Sequence, residues 1–233
     1  SSMKNEEGIV VIPGFYDGIT LNEDTKKILN NVPSAENAIK KRTKINSIDN
    51  VGSNYQESIQ YPSLNIRGLQ SGWVGDQART IIPSSAIAEI DVRLVLENDP
   101  EKLMLSIKDH IKSLGYTILD SDPTDEQRMK YKKLIQMNYK ISYPAFRTPI
   151  NSREGKWLKG LLKKYYKTSP VLIRTSGGSV PISPFVNQLG IPSIGLPTVN
   201  LDNNQHSPNE NIRLGNYFQG IESFVSILLE PYQ

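Results

Sequence analysis

The sequence predicts two fold classes in one chain, a small α+β layer followed by an α/β segment, with the boundary between residues 148 and 149. Three observations carry this. "SAIAEIDVRLVL" (85–96) sets Ala88, Ile90, Val92, Leu94 and Leu96 against Glu89, Asp91 and Arg93, the two-residue period of a strand with one covered face. "NDPEKLMLSIKDHIKSLGY" follows, with Asp99 as N-cap, Pro100 at the first helical position, Gly115 past the end and a stripe of Leu103, Met104, Ile107, Ile111 and Leu114. After "YPAFRTPINS" the order becomes helix, strand, helix, strand, helix, with short strands apolar on both faces, as a covered sheet requires.

Taken from the start, "GIVVI" is a short apolar strand broken at Pro13-Gly14. "TLNEDTKKIL" opens a helix with Thr20 or Asn22 as cap, and "SAENAIKK" a shorter one. "PSLNIRGL" (62–69) alternates as a strand with Leu64, Ile66 and Gly68 on one side. A second charged helix is expected over roughly 123–134, then a strand in "IQMNYKISY". The first part is thus an antiparallel sheet with two helices on one face. In the second part "REGKWLKGLLKKYY" is a helix turning Trp157, Leu158, Leu161, Leu162 and Tyr165 inward. Strands are expected at 171–175 and 191–196, with a short helix between them. The last helix should bury Ile212, Tyr217, Ile221, Phe224, Ile227 and Leu228.

Composition narrows the function. The 233 residues are 37% hydrophobic and 22% charged, ordinary for a packed globular chain. A net charge of +3 is too small and dispersed for a nucleic-acid surface, and runs such as "KKYYK" read as solvated helix faces. No apolar run has the length of a membrane span, and the N-terminus lacks the apolar core of a signal peptide. With no cysteine there is no disulfide and no thiolate chemistry, which fits a cytoplasmic, reducing location.

Two loops draw the chemistry. "TSGGS" ends one expected strand and precedes a helix, so its glycines let backbone N–H groups approach an anion. The same pattern also serves as a plain turn, and it lacks the spacing of a nucleotide loop. His206, in "DNNQHSPNE", follows the next strand. A neutral imidazole there can ligate zinc or act as a base, but zinc needs three or four protein ligands and this loop adds only Asp202 and Glu210. The other histidine, His110, lies on a charged helix flank and reads as a surface residue.

"IPGFYD" (12–17), "ARTIIP" (78–83), "IDVRLV" (90–95), "SGGSVPI" (176–182) and "HSPNE" (206–210) occur in the order in which similar segments occur in one family. The chain resembles the C-terminal part of the zinc metallopeptidase superfamily that includes carnosine dipeptidases, aminoacylases and succinyl-diaminopimelate desuccinylase, with the dipeptidase branch most similar. The resemblance implies that residues 1–148 are a lid, or dimerisation, domain lacking its N-terminal portion. Residues 149–233 are then the C-terminal segment of a catalytic α/β domain. It implies two zinc ions in the intact enzyme, with His206 as one ligand and Asp202 and Glu210 behind it. Arg93 and the loop Ser176, Gly177, Gly178 and Ser179 would line the site for a peptide or N-acyl amino acid. The "HxD", and the "EE" flanked by apolar strands, that complete the family's metal set and general base have no counterpart here. The chain is therefore expected to be inactive alone, part of an enzyme that hydrolyses dipeptides or small peptides as a homodimer. Deacylation of the aminoacylase or desuccinylase type, and a non-catalytic binding or scaffold module, are the alternatives.

Overall fold

The structure is a computed structural model that describes residues 2–232. It divides into two compact units, one formed by the residues up to Ala145 with Thr175–Ser183, the other by Phe146–Arg174 with Pro184 onward. The loop "TSGGSVPIS" therefore packs with the first unit, although it lies beyond residue 148 in sequence.

The first unit contains α1 (Glu23–Asn30), α2 (Glu36–Thr43), α3 (Tyr55–Ser58), β1 (Ser63–Ser71), β2 (Ala86–Arg93), α4 (Pro100–Ser113), β3 (Thr117–Leu119), α5 (Asp125–Lys130) and β4 (Leu134–Gln136). Local chemistry sets the helix starts. Asn22 accepts the Thr25 amide, and Asp99 accepts the amides of Glu101 and Lys102 ahead of Pro100. Both satisfy donors that the first helical turn leaves without partners. Gly115 leaves α4 at φ +84°, in the left-handed region that glycine enters without steric cost.

Leu103, Ile107 and Ile111 of α4 are buried with Val10, Ile12, Phe15 and Leu64, and Val92, Leu94, Met104, Ile118 and Ile135 pack around them. The α4 stripe thus meets the sheet as its period requires. β1 and β2 pair antiparallel, with Leu64 opposite Val92 and Ile66 opposite Ile90. A bulge between Ile66 and Gly68 leaves Arg67 as an extra residue. Leu69, and not Gly68, then falls opposite Ala88, on the face of Leu64 and Ile66.

Several first-unit expectations are corrected. β3 and β4 pair parallel, so the second strand pair is not part of an antiparallel sheet. The connection through α5 returns the chain to the same end, as a parallel pair needs. The second lid helix is short: Thr124 and Gln127 form a reciprocal cap, but Tyr131 is already extended (φ −109°, ψ 132°) because the chain must enter β4. No residue of α5 is buried, so it does not cover the sheet. "GIVVI" forms only a single bridge, Lys4 with Val10.

The second unit holds α6 (Arg153–Tyr166), most of α7 (Ser183–Leu189) and α8 (Leu214–Leu229). Ser152 caps α6 by accepting the Gly155 amide. Leu161 and Leu162 are its buried residues, while Tyr165 is exposed and donates to Glu222. The inward stripe expected for α8 is also corrected. Phe224 and Leu228 are 51% and 84% exposed, and Gly220 and Ser223 are the buried positions. Small residues win there because a Cβ on Gly220 would stand 3.0 Å from that of Thr198, and Ser223 hydrogen-bonds Tyr166 of α6. Neither 171–175 nor 191–196 forms a strand, and Val171, Ile173, Ile191 and Ile194 are exposed. A strand exists only through a paired neighbour, and among the described residues the second unit supplies none. Among the described residues no helix is long and apolar enough to cross a membrane.

Candidate functional site

Arg93 closes β2, and the pleat turns it away from the core that Val92 and Leu94 help to form. Its Nε donates to Asp91 Oδ2 at 2.6 Å, a neighbour on the same face of the strand. Its Nη1 donates to Ser179 Oγ at 2.5 Å. The guanidinium is thus oriented at two points while its side chain remains half exposed. A planar fork fixed in this way and open to solvent matches the geometry of a carboxylate.

The glycine loop lies against the same unit. Thr175 Oγ1 donates to Gln60 Oε1 at 3.2 Å, Ser179 accepts from Arg93, and Ser183 Oγ donates to the Pro144 carbonyl. Between these anchors Ser176, Gly177 and Gly178 are exposed. A Cβ on Gly177 would sit 3.7 Å from both Ile59 Cγ2 and Tyr55 Oη, so the loop lies in van der Waals range of the α3 turn. Gln60 itself is 1% exposed, and its Nε2 donates to the Gln56 carbonyl at 3.0 Å.

His206 belongs to the second unit, in a loop whose composition follows from its backbone. Asn204, His206 and Asn209 take φ of 56°, 62° and 64°. Asparagine tolerates that left-handed region better than other non-glycine residues, which explains the asparagine-rich run. Buried Asn203 accepts the Gln205 amide through its side chain, and its carbonyl accepts the Asn211 amide. Buried Asn200 donates to Asp202 and accepts the Arg213 amide. Asp202 also receives Arg213 Nη2 at 2.5 Å. The hydrogen bonds from Asn200 and then Arg213 hold the Asp202 carboxyl below its ordinary range. Glu210 Oε2 accepts the backbone amide of His206 at 3.3 Å.

The sequence-predicted residues therefore fall into two groups. Arg93 and Ser179 are in direct contact, with Ser176, Gly177 and Gly178 beside them. His206 is exposed, Asp202 is engaged by Arg213, and Glu210 supports the His206 backbone. Among the described residues no group of three or more His, Cys, Asp or Glu side chains could hold a metal ion. The residues of this chain do not by themselves fit a zinc site, which needs three or four ligands. Sequence reasoning missed Gln60, Asn200 and Arg213, and gave Thr175, the first residue of "TSGGS", no role of its own. Only Asn200, a polar residue ending an apolar run, carried any local signal.

A family model described as a peptidase dimerisation domain matches residues 22–117. The beta-Ala-His dipeptidase of Mus musculus is 22% identical over 236 residues, covering 98% of this chain and 45% of that protein. A Cys-Gly metallodipeptidase of Candida albicans is 25% identical over 232 residues, covering 96% of this chain and 44% of that protein. Among solved structures, an M20-family metallo-carboxypeptidase from Sulfolobus solfataricus superposes with a TM-score of 0.72 at 28% identity, over 98% of this chain and 49% of that one. The chain spans about half the length of the curated relatives it matches. With a dimerisation-domain match over β1, β2 and α4 and likeness along nearly its whole length, the chain is similar to M20-family peptidases.

Proposed function

We propose that this chain is the dimerisation domain and one part of the catalytic domain of a metal-dependent peptidase acting on dipeptides or small peptides in the cytoplasm. One observation carries the reading: Arg93 and Ser179, from motifs 86 residues apart, meet side chain to side chain. The oriented, half-exposed guanidinium of Arg93 is the anchor for the substrate's C-terminal carboxylate. Ser176, Gly177, Gly178 and Ser179 form the adjoining wall. His206 is one donor of a zinc centre completed by residues outside this chain. Its left-handed backbone supports that role, because a strained non-glycine conformation persists where the side chain is needed. Asp202 and Glu210 hold the loop that presents His206 and are not ligands. Peptidase and dipeptidase relatives that are about twice as long support assigning hydrolysis to the whole enzyme and not to this chain alone.

The test is a titration with glycylglycine, which carries a free carboxylate on a peptide of the proposed size. The Arg93 side-chain resonances should shift and saturate, and acetamide, which lacks the carboxylate, should leave them unmoved. An equal response to both ligands would reject the anchor. Zinc added to the chain in a calorimeter should reveal no stoichiometric site of micromolar affinity or tighter, because one imidazole lacks the multidentate geometry.

A further inference from the structure

We infer that Gln60 is a positioning residue for the glycine loop: buried beneath it, its side chain holds Thr175 and so sets where Ser179 meets Arg93. Gln60 is 1% exposed, an unusual place for a glutamine that serves no purpose. Both ends of its amide are used. Nε2 donates to the Gln56 carbonyl at 3.0 Å, which directs Oε1 toward Thr175 Oγ1 at 3.2 Å. The amide therefore joins the α3 turn to the first residue of "TSGGS".

Ser176, Gly177, Gly178 and Ser179 are exposed, and glycine gives the chain the widest backbone freedom. A Cβ on Gly177 would be in van der Waals range of Ile59 Cγ2 and Tyr55 Oη, so the loop also lies against the α3 turn. Ser183, at the far end, is anchored to the Pro144 carbonyl. Thr175 is the near-end anchor and Gln60 its acceptor. Loss of the acceptor leaves Arg93 to hold Ser179 alone, and an exposed hydrogen bond is a weak tether. The two roles differ: Arg93 would touch a ligand, whereas Gln60 acts through Thr175 and touches none. This inference rests on the carboxylate-anchor reading only for its functional consequence, since the loop's order is measured without any ligand.

Amide hydrogen exchange on the whole chain is the first measurement. Gln60→Leu, close in volume but without an acceptor, should raise exchange over residues 175–180 about fivefold, the effect of one net hydrogen bond, and leave α4 unchanged. Thr175→Val should do the same from the less buried side, where misfolding is no concern. Thr175→Ser, which keeps the hydroxyl, should restore wild-type exchange. Combining Gln60→Leu with Thr175→Val should add nothing beyond either change. Unchanged exchange in both single variants, or full additivity, would overturn the inference. Glycylglycine titration supplies the readout that a role in folding alone would not move: the Arg93 response should weaken severalfold in Thr175→Val and recover in Thr175→Ser. Altered exchange with an unaltered Arg93 response would limit Gln60 to loop order and reject its positioning role. No response in the wild-type chain would instead remove the carboxylate anchor, with the exchange result still deciding the contact.

Discussion

Arg93 shows how little the immediate sequence says about a side chain's task. An arginine alternating with apolar residues on a strand is ordinarily solvated, yet Asp91 and Ser179 fix this one from two sides. Replacement by lysine keeps the charge and loses the planar fork, so glycylglycine binding should weaken about fivefold in Arg93→Lys. Calorimetric or resonance titration checks this, and undiminished binding would mean that charge alone suffices. Asp202 supports a second expectation. Its folded-state carboxyl is held below the ordinary range by Asn200 and Arg213. The stabilisation is therefore fully present above the unfolded value and lost as pH falls through the depressed folded value. The loop over 199–213 should keep its order through neutral pH and loosen only below about pH 4. Amide exchange of Asn211 and Arg213 against pH measures this. If Asp202→Asn leaves the acid profile as it was, the ion pair is not its cause.

At the level of elements, α4 gives the clearest energetic expectation. Ile107 is 3% exposed between Leu103 and Ile111 and faces Val10, Ile12, Phe15 and Leu64. Ile107→Ala removes buried carbons and leaves a cavity, which should lower stability by about 2–5 kcal/mol. Asp99→Ala loses a cap that accepts two amides and should cost about 1 kcal/mol. Urea unfolding followed by helical circular dichroism ranks the two, and the reverse order would mean that α4 is held by its start more than by its core. The features of α4 were legible because a cap, a period of 3.6 and a terminal glycine are local. The orientation of β3 against β4 was not, because alternation marks a strand and says nothing of its partner's direction. The apolar segments 171–175 and 191–196 fail for the same reason: their residues favour strands, and pairing must come from elsewhere. The site divides in the same way. Arg93, "TSGGS" and His206 stood out by motif, whereas the contact of Gln60 with Thr175 spans 115 residues and nothing near Gln60 marks it.

For the whole molecule the question is what covers its exposed apolar surface, and each unit offers a different candidate. The core of the first unit is well supplied by α4 and its neighbours, yet the β1–β2 ribbon, with the 72–85 connection at its end, leaves Leu69, Val74 and Ile82 at 75%, 84% and 95% exposure. The second unit buries Leu161 and Leu162 but leaves Phe218, Leu228 and Leu229 of α8 in solvent. Both surfaces favour association, since exposed apolar area seeks cover. The two make opposite predictions about where that association occurs. The dimerisation-domain match spans 22–117 and so includes the whole ribbon and none of α8. A dimer formed through that domain should therefore depend on the ribbon. Light scattering behind size exclusion, at several loading concentrations, should show a dimer for the unaltered chain. Leu69→Ser combined with Ile82→Ser should give a monomer, because these positions are exposed and contribute little to the fold of one copy. Leu228→Ser with Leu229→Ser should leave the dimer intact. The opposite pattern would place the contact on α8, as the uncovered face of an incomplete core. A monomer at every concentration in the unaltered chain would refute self-association through either surface.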